Sequence, residues 1–139
     1  MANNILKGKR GIIFGALDGN SIAWKVAEHA YNEGAKFVLT NAPIAIRMGK
    51  INELSKKTNS KVIAADATSV EDLKLLYQEA IEELDGKIDF VLHSIGMSVN
   101  VRKGRSYYEQ NYDWTAKGYD ISAMSFHKTL QVAWELDAL

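Results

Sequence analysis

Gly11-Ile12-Ile13-Phe14-Gly15-Ala16-Leu17-Asp18-Gly19-Asn20-Ser21-Ile22-Ala23 is the stretch on which the fold turns. It opens with a short apolar run bounded by glycines and free of polar alternation, which predicts a strand buried on both faces. Ser21 then stands where a helix cap belongs. Ile22, Ala23, Val26, Ala27 and Ala30 recur at helical spacing until Gly34 punctuates the pattern.

The same alternation continues outward. Lys36-Phe37-Val38-Leu39-Thr40 reads as a second buried strand, and Pro43 opens a helical stretch carrying Ile44, Arg47, Ile51 and Leu54, weakened by Met48-Gly49. Lys61-Val62-Ile63-Ala64-Ala65 predicts a third strand. Ser69 and Asp72 form a capping-box pair ahead of Leu73, Leu76, Tyr77, Ala80, Ile81 and Leu84. After Gly86, Ile88-Asp89-Phe90-Val91-Leu92-His93 predicts a fourth strand, followed by a polar stretch from Met97 to Gln110. A long final helix then carries Trp114, Ile121, Phe126, Leu130, Ala133, Trp134 and Leu136, spaced to bury one broad face, with Gly118 weakening its first half. Strands joined through helices by short turns must run parallel with right-handed crossovers, so the fold class is a doubly wound α/β layer.

Composition agrees and narrows the function. The chain has 139 residues, 47% hydrophobic and 24% charged, which fits a single domain over residues 1–139 and leaves room for about four strand–helix units. Seventeen basic and seventeen acidic residues balance to a net charge of zero, which gives no electrostatic basis for a nucleic-acid or anionic-membrane partner. With no cysteine there is no disulfide scaffold, thiolate zinc site or thiol catalysis, and a reducing, cytoplasmic setting is expected. Met1-Ala2-Asn3-Asn4 is not a basic region leading into an apolar run of signal-peptide length, so no secretory signal is expected, and no apolar run is long enough to span a membrane.

In open parallel sheets ligands bind beyond the carboxyl ends of the strands, so the junctions there are the candidates. At the first, Gly15 is followed closely by the amino terminus expected near Ser21, where free N–H groups and the positive dipole end suit a pyrophosphate. A tight-turn glycine without a ligand fits equally. The spacing is neither G-x-G-x-x-G nor G-x-x-x-x-G-K-[ST], which removes support for nucleoside-triphosphate chemistry. The second junction, Thr40-Asn41-Ala42-Pro43, lacks the acidic residue that grips an adenosine ribose, and Arg47 is either a partner for a 2′-phosphate or a solvated arginine. Asp66 at the third junction suits the exocyclic amine of adenine, or simply starts a turn. At the fourth, His93-Ser94-Ile95-Gly96 offers small residues against which a flat ring can lie, with His93 expected as a packed strand-end residue. Arg102, Lys103 and Arg105 form a basic cluster in the polar stretch, and His127 and Lys128 are expected on the solvated face of the last helix.

Taken together, Gly15, Ser21-Ile22-Ala23-Trp24, Thr40-Asn41-Ala42-Pro43, Asp66-Ala67, His93-Ser94-Ile95-Gly96-Met97 and Asp120-Ile121-Ser122-Ala123 resemble the enoyl-acyl-carrier-protein reductases of bacterial fatty-acid synthesis, in the short-chain dehydrogenase/reductase superfamily. The likeness runs over residues 6–139. It implies a Rossmann-type sheet, incomplete at about four strands, and NADH as cofactor, with NADPH left open. By this resemblance Gly15, Ser21 and Ile22 hold the pyrophosphate, Asp66 and Ala67 the adenine, Ser94, Ile95 and Gly96 the ribose and nicotinamide side, and Ser98 faces the thioester. Ala42 departs from the glutamine common in the family and leaves adenosine-ribose recognition open.

The implied reaction is hydride transfer to C3 of a 2-enoyl thioester, with a tyrosine donor and a ribose-binding lysine in a Tyr-x6-Lys motif. No tyrosine here has a lysine four or seven residues later, so no catalytic residue and no metal ligand is expected in the chain, which reads as the amino-terminal part of such an enzyme and is expected to be inactive alone. The implied partners are acyl carrier protein bearing the enoyl thioester and further copies of the chain, a tetramer in the family, with strand four or strand one left as an uncovered apolar edge. By the same resemblance the long last helix packs against a sister subunit, which makes Trp114, Phe126 and Trp134 either core or interface. A non-catalytic dinucleotide-binding or interaction module is the alternative. A receiver-like signalling domain would need acidic residues at the end of strand one, and Phe14-Gly15 supplies none.

Overall fold

The computed structural model describes residues 3–139, so Met1 and Ala2 of the opening segment lie outside the described residues. Its centre is a four-stranded parallel sheet in the order β3-β2-β1-β4, built from β1 (Arg10–Phe14), β2 (Lys36–Asn41), β3 (Val62–Ala64) and β4 (Phe90–His93). β1 lies between its neighbours with Ile13 opposite Leu39 on one side and Leu92 on the other. β4 is therefore an outer strand of the sheet and β1 is not. Of the two strands expected to form an edge, β4 is the one that does, with β3 at the other side of the sheet.

Because side chains alternate across a strand, β1 sends Ile12 and Phe14 to one face and Ile13 to the other. The first face packs on α4 (Val70–Leu84) and α7 (Ser125–Glu135) through Val38, Leu73, Leu76, Tyr77, Val132 and Ala133. The opposite face packs on α1 (Ile22–Asn32) and α3 (Ile51–Thr58) through Ala23, Ala27, Leu39, Ile51 and Leu54. This is the doubly wound α/β architecture. Gly11 has a packing role in it, since a Cβ there would lie 2.1 Å from the Phe90 ring of the neighbouring strand.

Three local readings are corrected. The stretch opened by Pro43 is two helices, α2 (Pro43–Met48) and α3, because the Lys50 N–H donates to the Leu17 carbonyl (2.7 Å) instead of continuing a helical ladder. Gly49 permits that approach, since a Cβ would sit 2.7 Å from the Leu17 carbonyl oxygen. The polar stretch from Met97 contains a short helix α5 (Val99–Arg102) and a single 3₁₀ turn, Tyr107–Glu109. Buried Asn100 organises it by accepting from the Asn111 N–H and donating to the Asn111 carbonyl and the Thr115 hydroxyl.

The long last helix is interrupted. α6 (Tyr112–Tyr119) runs into a π-helical turn, Asp120–Met124, before α7 begins. A π turn adds a residue to the helical repeat and rotates everything after it. As a result Ser125, Thr129, Val132 and Ala133 face the core, while Phe126, Leu130 and Trp134 are 50%, 42% and 86% exposed. The single broad buried face predicted from spacing does not form. Among the described residues, no helix is long and apolar enough to cross a membrane.

Candidate functional site

The carboxyl ends of the four parallel strands all open on one edge of the sheet, and every predicted site residue lies in a loop or helix start at that edge. Gly15 closes β1 with φ +96°, and its N–H donates to the Thr40 carbonyl at the end of β2 (3.1 Å). A Cβ at Gly15 would fall 1.9 Å from the Ser94 carbonyl oxygen, so glycine is what lets the β1 and β4 loops touch. Asn41 ties in the β2 loop, donating its side-chain amide to the Ala16 carbonyl (3.1 Å) and accepting from the Ala42 N–H (2.9 Å).

Ser21 occupies the N-cap of α1 but makes no side-chain cap bond to the helix. Its hydroxyl turns back and accepts from the Leu17 and Asp18 N–H groups, both at 3.0 Å. The first turn of α1 therefore keeps its N–H groups free of a side-chain cap, and it carries no acidic residue. Such a terminus favours an anion through both its open donors and the dipole. The Ile22 side chain is 74% exposed and away from the core, so what Ile22 offers at this edge is its backbone N–H.

At the β3 end, Asp66 is exposed and its Oδ1 accepts from the Thr68 N–H (2.9 Å) and hydroxyl (2.7 Å). The Asp66 N–H donates to Asp72 Oδ2 (2.9 Å), so the predicted capping box is redirected: Ser69 caps Asp72 as expected, while the Asp72 carboxylate holds the Asp66 loop. Among the described residues only Oδ1 of Asp66 is engaged, which leaves Oδ2 to accept from an amine. Ala67 points into the core and contributes backbone alone.

Beyond β4, Ser94 and Ile95 are half-buried and Gly96 is exposed. A Cβ at Gly96 or at Gly19 would meet no heavy atom within 4 Å, so the protein's own packing leaves open space at both glycines. Ser98 caps α5 by accepting from the Val101 N–H (3.3 Å) and stays exposed at the same edge. His93 is packed, as expected: its Nε2 lies 2.7 Å from the Ser125 hydroxyl, and its ring meets Phe126 edge-on at 5.5 Å. Because Ser125 spends its proton on the Ile121 carbonyl (2.6 Å), it must accept from His93, which sets an Nε2–H tautomer. Burial lowers the His93 pKa. Among the described residues the Tyr77 phenol, buried in the core, has no hydrogen-bond partner, and burial pushes its pKa up to about 12.

Lys128 and Gly118 carry roles that spacing does not disclose. Lys128, expected on a solvated face, is bound to the Thr68 carbonyl (3.2 Å) and Asp120 Oδ1 (2.9 Å). Gly118, expected only to weaken a helix, lets α6 approach the Met97 carbonyl, from which a Cβ would be 3.0 Å away. Among the described residues no group of three or more histidine, aspartate or glutamate side chains could hold a metal ion.

These loops and helix starts stand in a row along the carboxyl edge of the sheet. Between the β3 and β4 ends the sheet spans about 14 Å at ordinary parallel-strand spacing, with the open helix terminus beside the middle. An extended ligand with a central anion suits it.

Comparison with known proteins places the chain in a family. Residues 15–138 match the family model described as Enoyl-(Acyl carrier protein) reductase. Enoyl-[acyl-carrier-protein] reductase [NADH] 1 of Rhizobium meliloti (strain 1021) is 32% identical over 126 residues, covering 90% of this chain and 46% of that protein. The crystal structure of the FabI-NADH complex from Alistipes finegoldii is 60% identical with a TM-score of 0.96, over 98% of this chain and 48% of that one. The enoyl-[acyl-carrier-protein] reductase (NADH) structure from Aquifex aeolicus VF5 is 28% identical with a TM-score of 0.81, over 94% and 51%. The chain spans about half the length of the curated relatives it matches. With the sheet order, the Gly15 turn and the family match agreeing, the chain belongs to the enoyl-(acyl carrier protein) reductase family.

Proposed function

We propose that residues 1–139 form a single dinucleotide-binding domain that holds NADH for reduction of the double bond of a 2-enoyl thioester carried on acyl carrier protein, in cytoplasmic bacterial fatty-acid synthesis. The observation that carries this reading is the first turn of α1, whose N–H groups lack a side-chain cap next to the Gly15–Ser94 contact. There Gly15, by giving the loop its turn, the Ser21 hydroxyl proton and the Ile22 N–H would hold the pyrophosphate. Asp66 Oδ2 and the Ala67 backbone would take the adenine, and Ser94, Ile95 and Gly96 the ribose and nicotinamide. Ser98, exposed beyond Gly96, would face the thioester.

The choice of NADH over NADPH draws on the relatives, whose names specify NADH and one of whose structures is an NADH complex. Arg47 is exposed on α2 and is the side chain that would meet a 2′-phosphate. When bound, the cofactor supplies a hydride. The chain's residues orient it, and the chain itself holds no tyrosine spaced four or seven residues before a lysine.

Isothermal calorimetry on the 139-residue chain tests the reading. Saturable one-to-one NADH binding is expected, together with no oxidation of NADH by crotonyl thioester. Absence of binding contradicts the cofactor site, and turnover by the rigorously purified chain contradicts the argument from the missing tyrosine–lysine pair.

A further inference from the structure

The π-helical turn Asp120–Met124 lies between α6 and α7; its Ser122 reaches back to the loop beyond β4, while its Asp120 engages Lys128 of α7, which reaches the loop beyond β3. Ser122 accepts from the Met97 N–H (2.9 Å) and donates to the Met97 carbonyl (3.1 Å), the two-bond pattern that a neighbouring strand would provide. One turn earlier Gly118 gives Met97 its close contact with α6. The β4 loop is thus held at the residue that follows Gly96. Asp120, two residues before Ser122, engages Lys128, and the same ammonium donates to the Thr68 carbonyl in the β3 loop. Thr68 in turn supplies both hydrogen bonds that orient Asp66 Oδ1.

A π turn is costly in an otherwise regular helix and recurs where a helix must aim side chains at a site. Here it places Ser122 against the β4 loop and Asp120 against Lys128, which in turn holds the β3 loop. We propose that Ser122 and Lys128 are positioning residues for the dinucleotide, Ser122 setting the β4 loop for the ribose–nicotinamide end and Lys128 setting the Asp66 loop for the adenine end. The proposal rests on the cofactor reading given above and adds a division of labour to it. Neither side chain touches the cofactor; each acts through a backbone group of a loop.

Binding of two probes separates the ends. NADH engages both, whereas AMP engages the adenine end alone. For Lys128→Met, calorimetry on the 139-residue chain should show NADH and AMP weakened alike, by roughly five- to tenfold, the scale of one lost hydrogen bond. Ser122→Ala should weaken NADH by a similar factor and leave AMP unchanged, and Lys128→Arg should restore what Lys128→Met removes. General loss of folding would weaken both probes in both variants, so Ser122→Ala affecting AMP as strongly as NADH overturns the proposal. So does NADH binding by both variants equal to that of the parent.

Amide hydrogen exchange reads the clamps without ligand. Met97 should exchange several-fold faster in Ser122→Ala, and Asp66 and Thr68 faster in Lys128→Met. Unchanged exchange overturns the proposal, whereas a parent chain that exchanges as expected but binds no NADH instead contradicts the cofactor reading.

Discussion

At Gly15 two constraints coincide, a left-handed φ of +96° and contact with the Ser94 carbonyl. Gly15→Ala incurs both backbone strain and a clash with main chain that cannot rotate away, so urea unfolding should show a loss of at least about 2 kcal/mol. A variant as stable as the parent would contradict the close approach. His93 gives a pH signature. Its pKa is lowered by burial in the folded protein, so the unfolded chain takes up the proton first as pH falls through the ordinary value of 6.5. Its contribution is present above that value and lost as pH drops toward the folded pKa. Melting temperature should therefore fall between pH 7.5 and 5, and His93→Asn should flatten that slope. Glu28, hydrogen-bonded first by Lys57 and then by Trp24, has its pKa lowered to about 2, so its contribution is lost only below the ordinary 4.5. The sequence shows that Gly15, Asp66 and His93 stand at strand ends; it does not show that Ser21 turns its hydroxyl into the loop, because that depends on where the Leu17 and Asp18 N–H groups point.

Among the elements, all four strands were legible as short buried runs, and the capped start of α4 was legible from Ser69 and Asp72. Ser69→Ala should lower stability by about 1 kcal/mol in thermal or urea unfolding. The weak points at Met48-Gly49 and Gly118 were legible, but the breaks themselves were not, because tertiary contacts make them: the Leu17 carbonyl ends the ladder at Lys50, and Met97 sits against Gly118. Gly118 separates propensity from packing. In a free helix Gly→Ala would add about 1 kcal/mol of stability, but here the new Cβ would lie 3.0 Å from a carbonyl that Ser122 holds in place. Gly118→Ala should therefore be less stable than the parent in urea unfolding, and a stabilised variant would contradict the contact.

For the molecule as a whole, alternating strand and helix with short connections leaves little choice but a parallel sheet with helices on both faces, and that is the architecture found. Spacing alone cannot tell a core stripe from an interface stripe. Phe126, Leu130 and Trp134 follow helical spacing as well as any buried set, and the π turn directs them outward. With β4 an outer strand of the sheet, this stripe is expected to mediate contact between copies. Sedimentation velocity should show concentration-dependent association, reduced in Trp134→Glu. Association unaffected by that change would place the contact elsewhere.

The central claim is that the N–H groups at the start of α1 grip the diphosphate of NADH. An amide-resolved NMR titration of the 139-residue chain with NADH tests it most directly. The largest shifts should fall on Ile22 and Ala23, with further shifts at Asp66 and at Ser94 through Gly96. Shifts confined to Ile5, Leu6, Lys25 and His29 of the apolar groove that Ser21 and Ile22 also line, with none at Ala23, Asp66 or Ser94 through Gly96, would contradict it, as would no shifts at all.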